Sequence, residues 1–316
     1  MKLSESLTLP RVGVGCNAFG RRVDADGVRA IVDAAIDVGA AFFDTADVYG
    51  LGASEELLGK AIASRRDDVL IGTKFGMPMN GMNGNARPGS REYIRTAVEE
   101  SLRRLGTDYI DLYQFHTPDR ETPMAHTLAA LDELVREGKV RHIGVSNVQA
   151  WELVNADWTA RDEGTARFVT VQDEYSLYNR TAELELTPAC ERFEIGILPY
   201  FPLAYGLLTG KYRRDKKAPQ GSRLAGEDQV HRLAHADWDR IDELHAFAIK
   251  HDVSMLELAI GGLAAQPAVA CVIAGASKSE QVLANVKAGE WIPTQDQLKD
   301  LNTIGKPKQS YTTYAT

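Results

Sequence analysis

Residues 41–50 read AFFDTADVYG, and this stretch decides how the rest of the chain is interpreted. It begins with an apolar run, which is typical of a strand buried on both faces. It ends in polar residues that include Asp44 and Tyr49. The abrupt change predicts a buried β-strand whose carboxyl end carries chemically useful side chains.

Two further apolar runs end in the same way. Residues 69–73 lead directly to Lys74, and residues 109–115 lead directly to His116. In a parallel barrel the carboxyl ends of all strands share one face, where the chemistry of such barrels takes place. The sequence therefore predicts that Asp44, Tyr49, Lys74 and His116 lie together on that face.

These four side chains suit proton transfer to a carbonyl oxygen. A phenol is a poor acid near neutrality because its unperturbed pKa is about 10. A nearby ammonium favours the phenolate and lowers that pKa, while a carboxylate keeps the ammonium charged and in place. An imidazole can donate a hydrogen bond to the substrate or relay a proton. The set predicts a general acid for a carbonyl that receives hydride.

Five more apolar runs bring the number of predicted strands to eight, with helical patterns between them. They cover residues 11–15, 140–145, 168–171, 195–198 and 270–274. A doubly wound sheet more typically stops near six strands. The prediction is therefore one (β/α)8 TIM barrel domain over residues 1–316, with a short N-terminal hairpin at residues 2–9, where apolar and polar residues alternate.

Helix boundaries follow from capping patterns. The first helix is predicted over residues 26–38 and ends at Gly39, a typical residue after a helix. Ser54 and Ser90 are predicted N-caps, and Thr122 is a predicted N-cap followed by Pro123 at the first helical position.

One motif points elsewhere. Residues 13–18 fit the dinucleotide fingerprint G-x-G-x-x-A. That fingerprint requires its glycines to follow a strand and open a helix. Here Gly13 lies inside the apolar run, and the next helix begins only near Asp24 or Asp26. The sequence therefore disfavours a Rossmann fold, and Gly15 and Cys16 more simply let a cofactor approach the strand end.

Composition narrows the classes of function. The net charge of −8 does not suggest a nucleic-acid or anionic-membrane partner. Three scattered cysteines indicate a reducing, cytoplasmic location without a disulfide framework, and no spacing suggests a metal site. The N-terminus lacks a signal peptide, and no run approaches the roughly 18 apolar residues of a membrane span. The sequence is compatible with a monomer or a homo-oligomer.

The motifs resemble those of the aldo-keto reductase superfamily. The similarity rests on FFDTADVYG, IGTKFG, LYQFHTPD and GKVRHIGVSN, and it extends from about Val12 to Asn285. The resemblance implies a (β/α)8 barrel whose bottom is closed by the N-terminal hairpin, an NADPH cofactor (NADP⁺ when oxidised) and reduction of a small-molecule aldehyde or ketone. The tetrad of this family falls on Asp44, Tyr49, Lys74 and His116.

The resemblance also implies a cofactor site at the later strand ends. Ser146, Asn147 and Gln172 match the polar residues around the nicotinamide carboxamide, and Tyr200 matches the aromatic residue that stacks on the ring. PLAYGLLTGKY resembles the loop over the pyrophosphate. It places Leu203, Gly206 and Lys211 nearby, with Arg223 helping to close the loop. Cofactor-binding roles are also implied for Gly15, Cys16 and Asp44.

Residues 277–280, SKSE, open the last large helix and read locally as a capping box, with Ser277 at the N-cap. Helix N-termini also bind phosphate. The resemblance implies the adenosine 2′-phosphate here, with Lys278 as its charge partner. Gln281 stands where many members have arginine, which weakens the preference for NADP. Asn285 matches an adenine-contacting asparagine.

Two other functions stay open at the sequence level. Channel β-subunit relatives keep the cofactor mainly to bind or sense a partner, with weak reductase activity. A sugar or alcohol dehydrogenase would run the reaction in the oxidative direction. The substrate pocket is expected to be built by loops 17–23, 75–90 and 207–235, whose conformations decide the substrate.

Overall fold

The computed structural model describes residues 3, 7–79, 86–226, 229 and 231–307. Within them, eight parallel strands form one sheet in the order β7-β6-β5-β4-β3-β2-β1-β8. The strands are β1 Val12–Gly15, β2 Phe42–Asp44, β3 Leu70–Phe75, β4 Ile110–Phe115, β5 Val140–Ser146, β6 Phe168–Glu174, β7 Gly196–Tyr200 and β8 Val272–Gly275.

The two edge strands meet, so the sheet closes into a barrel. Just before β8, the Ala268 carbonyl accepts a hydrogen bond of 2.7 Å from the Ile197 N–H. The Ala270 N–H donates to the Ile197 carbonyl at 2.8 Å. These bonds satisfy backbone groups that an open edge would expose. The predicted eight-stranded parallel barrel is thus confirmed.

Helices surround the barrel. They are α1 Ala25–Asp37, α2 Ala53–Ile62, α3 Arg91–Leu105, α4 Met124–Arg136, α5 Ala150–Glu163, α6 Leu186–Phe193, α7 His231–Ala234, α8 Trp238–Lys250, α9 Met255–Glu257, α10 Ser279–Gly289 and α11 Gln295–Leu301. Their buried faces and the outward side chains of the strands form the main hydrophobic core. In the ranges given above, no helix has the length and apolar character that a membrane crossing requires.

The barrel interior is filled from the amino-terminal end of the strands. Leu7 and Leu9 precede β1 and pack into a buried interior cluster with Phe42, Leu112 and Leu198. The Leu3 N–H also donates to the Leu7 carbonyl at 2.8 Å. Half of the predicted hairpin, residues 2 and 4–6, lies outside the described residues.

Of the caps predicted for α2, α3 and α4, Ser90 is confirmed and the other two differ. Ser90 caps α3 by accepting from the Tyr93 N–H, and Asp24, which was not predicted as a cap, caps α1 by accepting from the Gly27 N–H. Ser54 was expected to cap α2, but it lies inside that helix, where its hydroxyl donates to the Cys16 carbonyl at 3.0 Å. Pro123 rather than Thr122 is the N-cap of α4.

The dinucleotide fingerprint lies inside the barrel wall. Gly13 and Gly15 both belong to β1, and α1 begins only at Ala25. A Cβ on Gly13 would come within 2.8 Å of the Phe42 ring. The first glycine therefore serves packing inside the barrel, and the Rossmann interpretation does not apply.

Candidate active site

A cleft of about 560 Å³ opens at the carboxyl ends of the strands. Most of the residues predicted from the sequence line it. These are Gly15, Cys16, Asp44, Tyr49, His116, Ser146, Asn147, Gln172, Tyr200, Leu203, Gly206, Lys211, Arg223, Ser277 and Gln281. Lys74, Lys278 and Asn285 are not part of its lining. The described residues contain no group of three side chains able to hold a metal ion.

Lys74 lies directly behind the cleft wall, fully buried in β3. Its ammonium donates to Asp44 Oδ2 at 2.7 Å and to the Thr45 carbonyl at 2.8 Å. Burial alone would lower the pKa of Lys74, but the charge of Asp44 and its hydrogen bond to the ammonium outweigh burial and raise it. Lys74 is therefore a fixed cation just beneath the site.

Asp44 is held by more than this ion pair. Its Oδ1 accepts hydrogen bonds from Gln114 Nε2 at 3.1 Å and from Gln172 Nε2 at 2.9 Å. The sequence predicted Gln172 as a cofactor contact and did not identify Gln114. Gln114 belongs to β4 two residues before His116, so its position in the same strand was the available signal.

Tyr49 begins a short 3-10 turn that follows β2. The Lys74 ammonium lies 5.2 Å from the centroid of its ring. Burial raises the pKa of the Tyr49 phenol, and the opposing effect of Lys74 is smaller. The expectation that the ammonium leaves this pKa lowered is wrong, because removing a phenolate from water outweighs the attraction. Tyr49 therefore holds its proton at neutral pH.

His116 stands across the cleft from Tyr49, with ring centroids 6.0 Å apart in an edge-on arrangement. Burial, assisted by the charge of Lys74, lowers its pKa to about 3. The imidazole is consequently neutral at physiological pH. Its Nδ1 is buried and has no hydrogen-bond partner among the described residues. A neutral imidazole can donate one hydrogen bond, but it does not carry the second proton that a general acid would transfer.

A second wall of the cleft consists of polar groups that hold one another. Asn147 Nδ2 donates to the His116 carbonyl at 3.0 Å and to Ser146 Oγ at 3.1 Å. The Tyr200 hydroxyl donates to Asn147 Oδ1 at 2.9 Å. Asn147 adopts a positive φ of 58°, which asparagine tolerates better than most residues. The amide is thereby fixed against the carbonyl of the residue that carries the imidazole.

The loop after β7 lies along the cleft in an unusual conformation. Phe201, Ala204 and Tyr205 all have positive φ, as does Gly206. Arg223 lies 5.4 Å from the Tyr205 ring centroid. Such left-handed residues cost free energy and persist only where their surroundings enforce them. The aromatic side chains and the arginine thus hold this loop over the cleft.

Three guanidinium groups collect around this loop. Burial lowers the pKa of Arg223, and the neighbouring charges of Arg22 and Arg232 lower it further. Arg232 stacks 3.6 Å from the centroid of Tyr205. Among the described residues, no carboxylate lies within 4 Å of these three arginines. Arg22 lies in the loop after β1, Tyr205 in the loop after β7 and Arg232 in α7. The sequence analysis did not single out these three residues, because only the fold brings their side chains together.

The amino-terminal end of α10 differs from the prediction. Its N-cap is Lys278 rather than Ser277, and Glu280 makes no capping box. Gln281 Oε1 instead accepts from the Ser277 N–H at 2.7 Å and from its hydroxyl at 3.1 Å. The extended backbone of Lys278 starts the helix one residue later, so the third helical position falls on Gln281. Lys278 is exposed, and Asn285 is buried inside the helix.

The loops expected to form the substrate pocket contribute unequally. Asn17 and Ala18 line the cleft from the loop after β1, and Met77 lines it from the loop after β3. Residues 80–85 of the predicted substrate loop lie outside the described residues.

Comparison with known proteins agrees with this geometry. The profile of the aldo/keto reductase family matches residues 11–306. The chain is 34% identical to the uncharacterized oxidoreductase YrpG of Bacillus subtilis, covering 94% of this chain and 93% of that protein. It is 32% identical to a probable voltage-gated potassium channel subunit beta of Oryza sativa, with 92% of each chain covered.

A solved structure also matches. The holo form of the aldo-keto reductase AKR11C1 from Bacillus halodurans superposes with a TM-score of 0.78 at 30% identity, covering 95% of this chain and 94% of that chain. The fold, the buried ion pair beside a tyrosine and these relatives agree. The chain belongs to the aldo/keto reductase family and is an NAD(P)H-dependent oxidoreductase that acts on carbonyl groups.

Proposed function

We propose that this protein reduces an aldehyde or ketone to an alcohol with NADPH, and that Tyr49 protonates the carbonyl oxygen. The observation that supports this role most directly is the arrangement of Tyr49, Lys74 and His116 around one end of the cleft. In this arrangement, Tyr49 is the proton donor, Lys74 is the buried cation and His116 is a neutral hydrogen-bonding group.

The cleft suits a dinucleotide. Arg22 and Arg223 line the cleft and would meet the phosphates, since guanidinium forks match phosphate oxygens. Ser146, Asn147 and Gln172 offer amide and hydroxyl groups to the carboxamide, and Tyr200 offers a ring face. The bound cofactor would supply the hydride. The remaining predicted contacts, Leu203, Gly206 and Lys211, lie along the same loop.

The proton comes from the chain itself. The raised pKa of Tyr49 keeps the phenol protonated before reaction. As negative charge develops on the substrate oxygen, the proton moves from the Tyr49 hydroxyl to that oxygen. The nearby Lys74 ammonium stabilises the phenolate that remains, and Asp44 holds the ammonium in place. Such acid catalysis contributes typically 10²–10⁴-fold to the rate.

His116 orients the carbonyl. Because its pKa is about 3, its imidazole is neutral and can donate one hydrogen bond to the substrate oxygen without giving up a proton. The second route considered from the sequence, a proton relay through His116, would require an imidazolium that burial disfavours.

Preference for NADPH over NADH rests on the start of α10. Lys278 is exposed there and can meet a 2′-phosphate. The neighbouring Ser277 N–H is already occupied by Gln281. We therefore assign the preference to the Lys278 charge more than to the free N–H groups of the helix, with Asn285 supporting the adenine side.

The decisive experiment replaces Tyr49 by phenylalanine, which removes a single hydroxyl. NADPH oxidation should fall at least 10²–10⁴-fold with every accepted carbonyl, while NADPH binding measured by fluorescence stays unchanged. Tyr109→Phe is the matched control, because Tyr109 lies between Arg66 and Arg141 at the opposite end of β4. Near-normal turnover in a folded Tyr49→Phe protein would exclude Tyr49 as the acid.

A carbonyl screen separates the alternatives. Aldehydes, ketones, quinones and sugars are offered with NADPH, and alcohols and sugars with NADP⁺. Rapid NADPH consumption supports reduction. Slow oxidation with every carbonyl favours a partner-binding protein that senses the cofactor, and faster turnover of alcohols favours an oxidative dehydrogenase.

We also propose that residues 1–316 act as one barrel domain and that this domain works in the cytoplasm. The buried free cysteines support the cytoplasmic location.

A further inference from the structure

The turn that carries Tyr49 is strained. Directly after Tyr49, Gly50, Leu51 and Gly52 have φ values of 61°, 56° and 94°. Three consecutive residues in the left-handed region are unusual, and Leu51 has a Cβ that disfavours it. Such a backbone persists only if its surroundings determine it more strongly than its own preferences do. Something beneath the turn must hold it.

Arg104 occupies the space beneath the turn. A Cβ built on Gly52 would come within 2.7 Å of Arg104 Cδ, so the glycine rests against the arginine side chain. Arg104 projects from the last turn of α3 and is 7% exposed. Its Nε donates to Glu55 Oε2 at 2.7 Å. The contact thus joins α3 to the segment that begins with Tyr49.

Glu55 continues the connection toward Lys74. It is fully buried in the first turn of α2, and its Oε1 accepts from Thr73 Oγ1 at 2.6 Å. Thr73 immediately precedes Lys74 in β3. Contacts therefore run without interruption from the Tyr49 turn through Arg104, Glu55 and Thr73 to the strand that holds the ammonium.

We propose that Arg104 and Glu55 are positioning residues that set the place of the Tyr49 hydroxyl relative to Lys74. The inference rests on the proposed role of Tyr49 as the acid. Neither side chain lines the cleft. Their effect acts through the backbone on either side of the site, where an error of about 1 Å can cost 10²-fold in rate.

A purely structural ion pair is the competing explanation, and the chain provides its own comparison. Arg66 NH2 lies 2.7 Å from Asp111 Oδ2, and Asp111 is buried like Glu55. Arg66 precedes β3 and Asp111 lies near the start of β4, so this pair is at the end of the barrel opposite the cleft. The two pairs share an arginine–carboxylate distance of 2.7 Å and a buried carboxylate. Asp111 is also paired with Arg141, at 3.1 Å, and the Arg66 pair lies far from Tyr49.

The test compares Arg104→Lys with Arg66→Lys, each of which keeps the charge and loses the guanidinium fork. We expect Arg104→Lys to lower kcat by about 10- to 100-fold. The KM for the carbonyl and the affinity for NADPH should stay within twofold of the parent protein. Arg66→Lys should lose a comparable amount of stability toward urea and keep its kcat.

Gly52→Ala provides an independent perturbation. It removes no charge but places a methyl group against Arg104 at a φ of 94°. We expect the same selective loss of kcat, and a crystal structure should show the Tyr49 hydroxyl displaced from Lys74. Should Arg104→Lys fail to fold, this variant and its structure carry the test.

The outcomes separate the two proposals. If Tyr49→Phe abolishes turnover while folded Arg104→Lys and Gly52→Ala keep kcat within twofold, the positioning role is wrong and the acid stands. If Arg66→Lys loses as much kcat as Arg104→Lys, the loss reflects general destabilisation and the inference fails. If Tyr49→Phe keeps turnover, the proposed role of Tyr49 as the acid is refuted, and the premise of the positioning role fails with it.

Discussion

Replacing Asp44 by asparagine tests the buried ion pair, because the change removes one charge and almost no volume. An asparagine oxygen can still accept from Lys74. Its amide nitrogen would face the amide nitrogens of Gln114 and Gln172, which are donors. Gln114 can turn its amide around, since its Oε1 has no partner among the described residues. Polar contacts are therefore largely recoverable, and the charge is what is lost.

The expected magnitude follows from burial. Lys74 is fully buried and Asp44 is 2% exposed, so the variant leaves an ammonium inside the protein without its counter-charge. Removing one partner of a buried pair typically costs about 3–5 kcal/mol of stability. The pKa of Lys74 is raised in the parent protein. That stabilisation is complete below the unfolded value of about 10.4 and is lost as pH rises through the folded value.

The assay is urea unfolding at pH 7 and pH 10, with NADPH oxidation measured on the same samples. Asp44→Asn should lose about 3–5 kcal/mol at pH 7 and less at pH 10, because burial without the Asp44 charge lowers the pKa of Lys74 and its deprotonation in the folded protein then relieves the penalty. It should retain more turnover than Lys74→Met, which removes the cation itself. Asp300→Asn is the control, because it neutralises an exposed pair with Lys250 and should leave stability almost unchanged. Unchanged stability in Asp44→Asn would refute the reasoning.

Other predictions concern pH and cofactor choice. Burial holds the pKa of His116 near 3, so the unfolded chain alone binds a proton between about pH 3 and 6.5. The free energy of unfolding should therefore decrease as pH is lowered through that window. In urea titrations, His116→Asn should reduce this dependence of stability on pH. Burial and the Glu55 charge raise the pKa of Asp47 to about 7. Protonated Asp47 therefore stabilises the folded state at low pH, and this stabilisation is lost as pH rises through about 7. Asp47→Asn should therefore raise the urea midpoint more at pH 8 than at pH 5. In fluorescence titrations, Lys278→Ala should weaken the affinity for NADPH roughly five- to 150-fold and leave the affinity for NADH nearly unchanged. The difference should become smaller as the salt concentration rises. Gln281→Arg should tighten NADPH, because it frees the Ser277 N–H and adds a fork for phosphate; weaker NADPH binding would show that the cap matters more.

The strand ends were predictable because each is a local feature. An apolar run followed by Asp44, Lys74 or His116 identifies a buried strand and its exit without knowledge of its neighbours. Once three such strands are parallel, their ends must meet. The eight-stranded barrel followed from the same pattern, and its closure between Ile197 and Ala270 needed no special sequence.

Features that depend on distant neighbours were not predictable. Ser54 reads as a cap from its sequence, but the Cys16 carbonyl comes from another part of the chain and accepts its hydrogen bond. The net direction of the Tyr49 pKa depends on how deeply the phenol is buried, which residue types alone do not reveal. The contact between Arg104 and Gly52 likewise joins segments about fifty positions apart.

The arginines around the cleft also govern how a ligand arrives. The whole chain carries a net charge of −8, so at long range it repels an anion. Near the loop after β7, Arg22, Arg223 and Arg232 place three positive charges together, with no carboxylate within 4 Å of them in the part of the chain that the structure covers. A charged ligand would thus be turned phosphate-first toward the cleft during its approach. Its association rate constant should depend on ionic strength, whereas the hydride step, enclosed within the barrel mouth, should not.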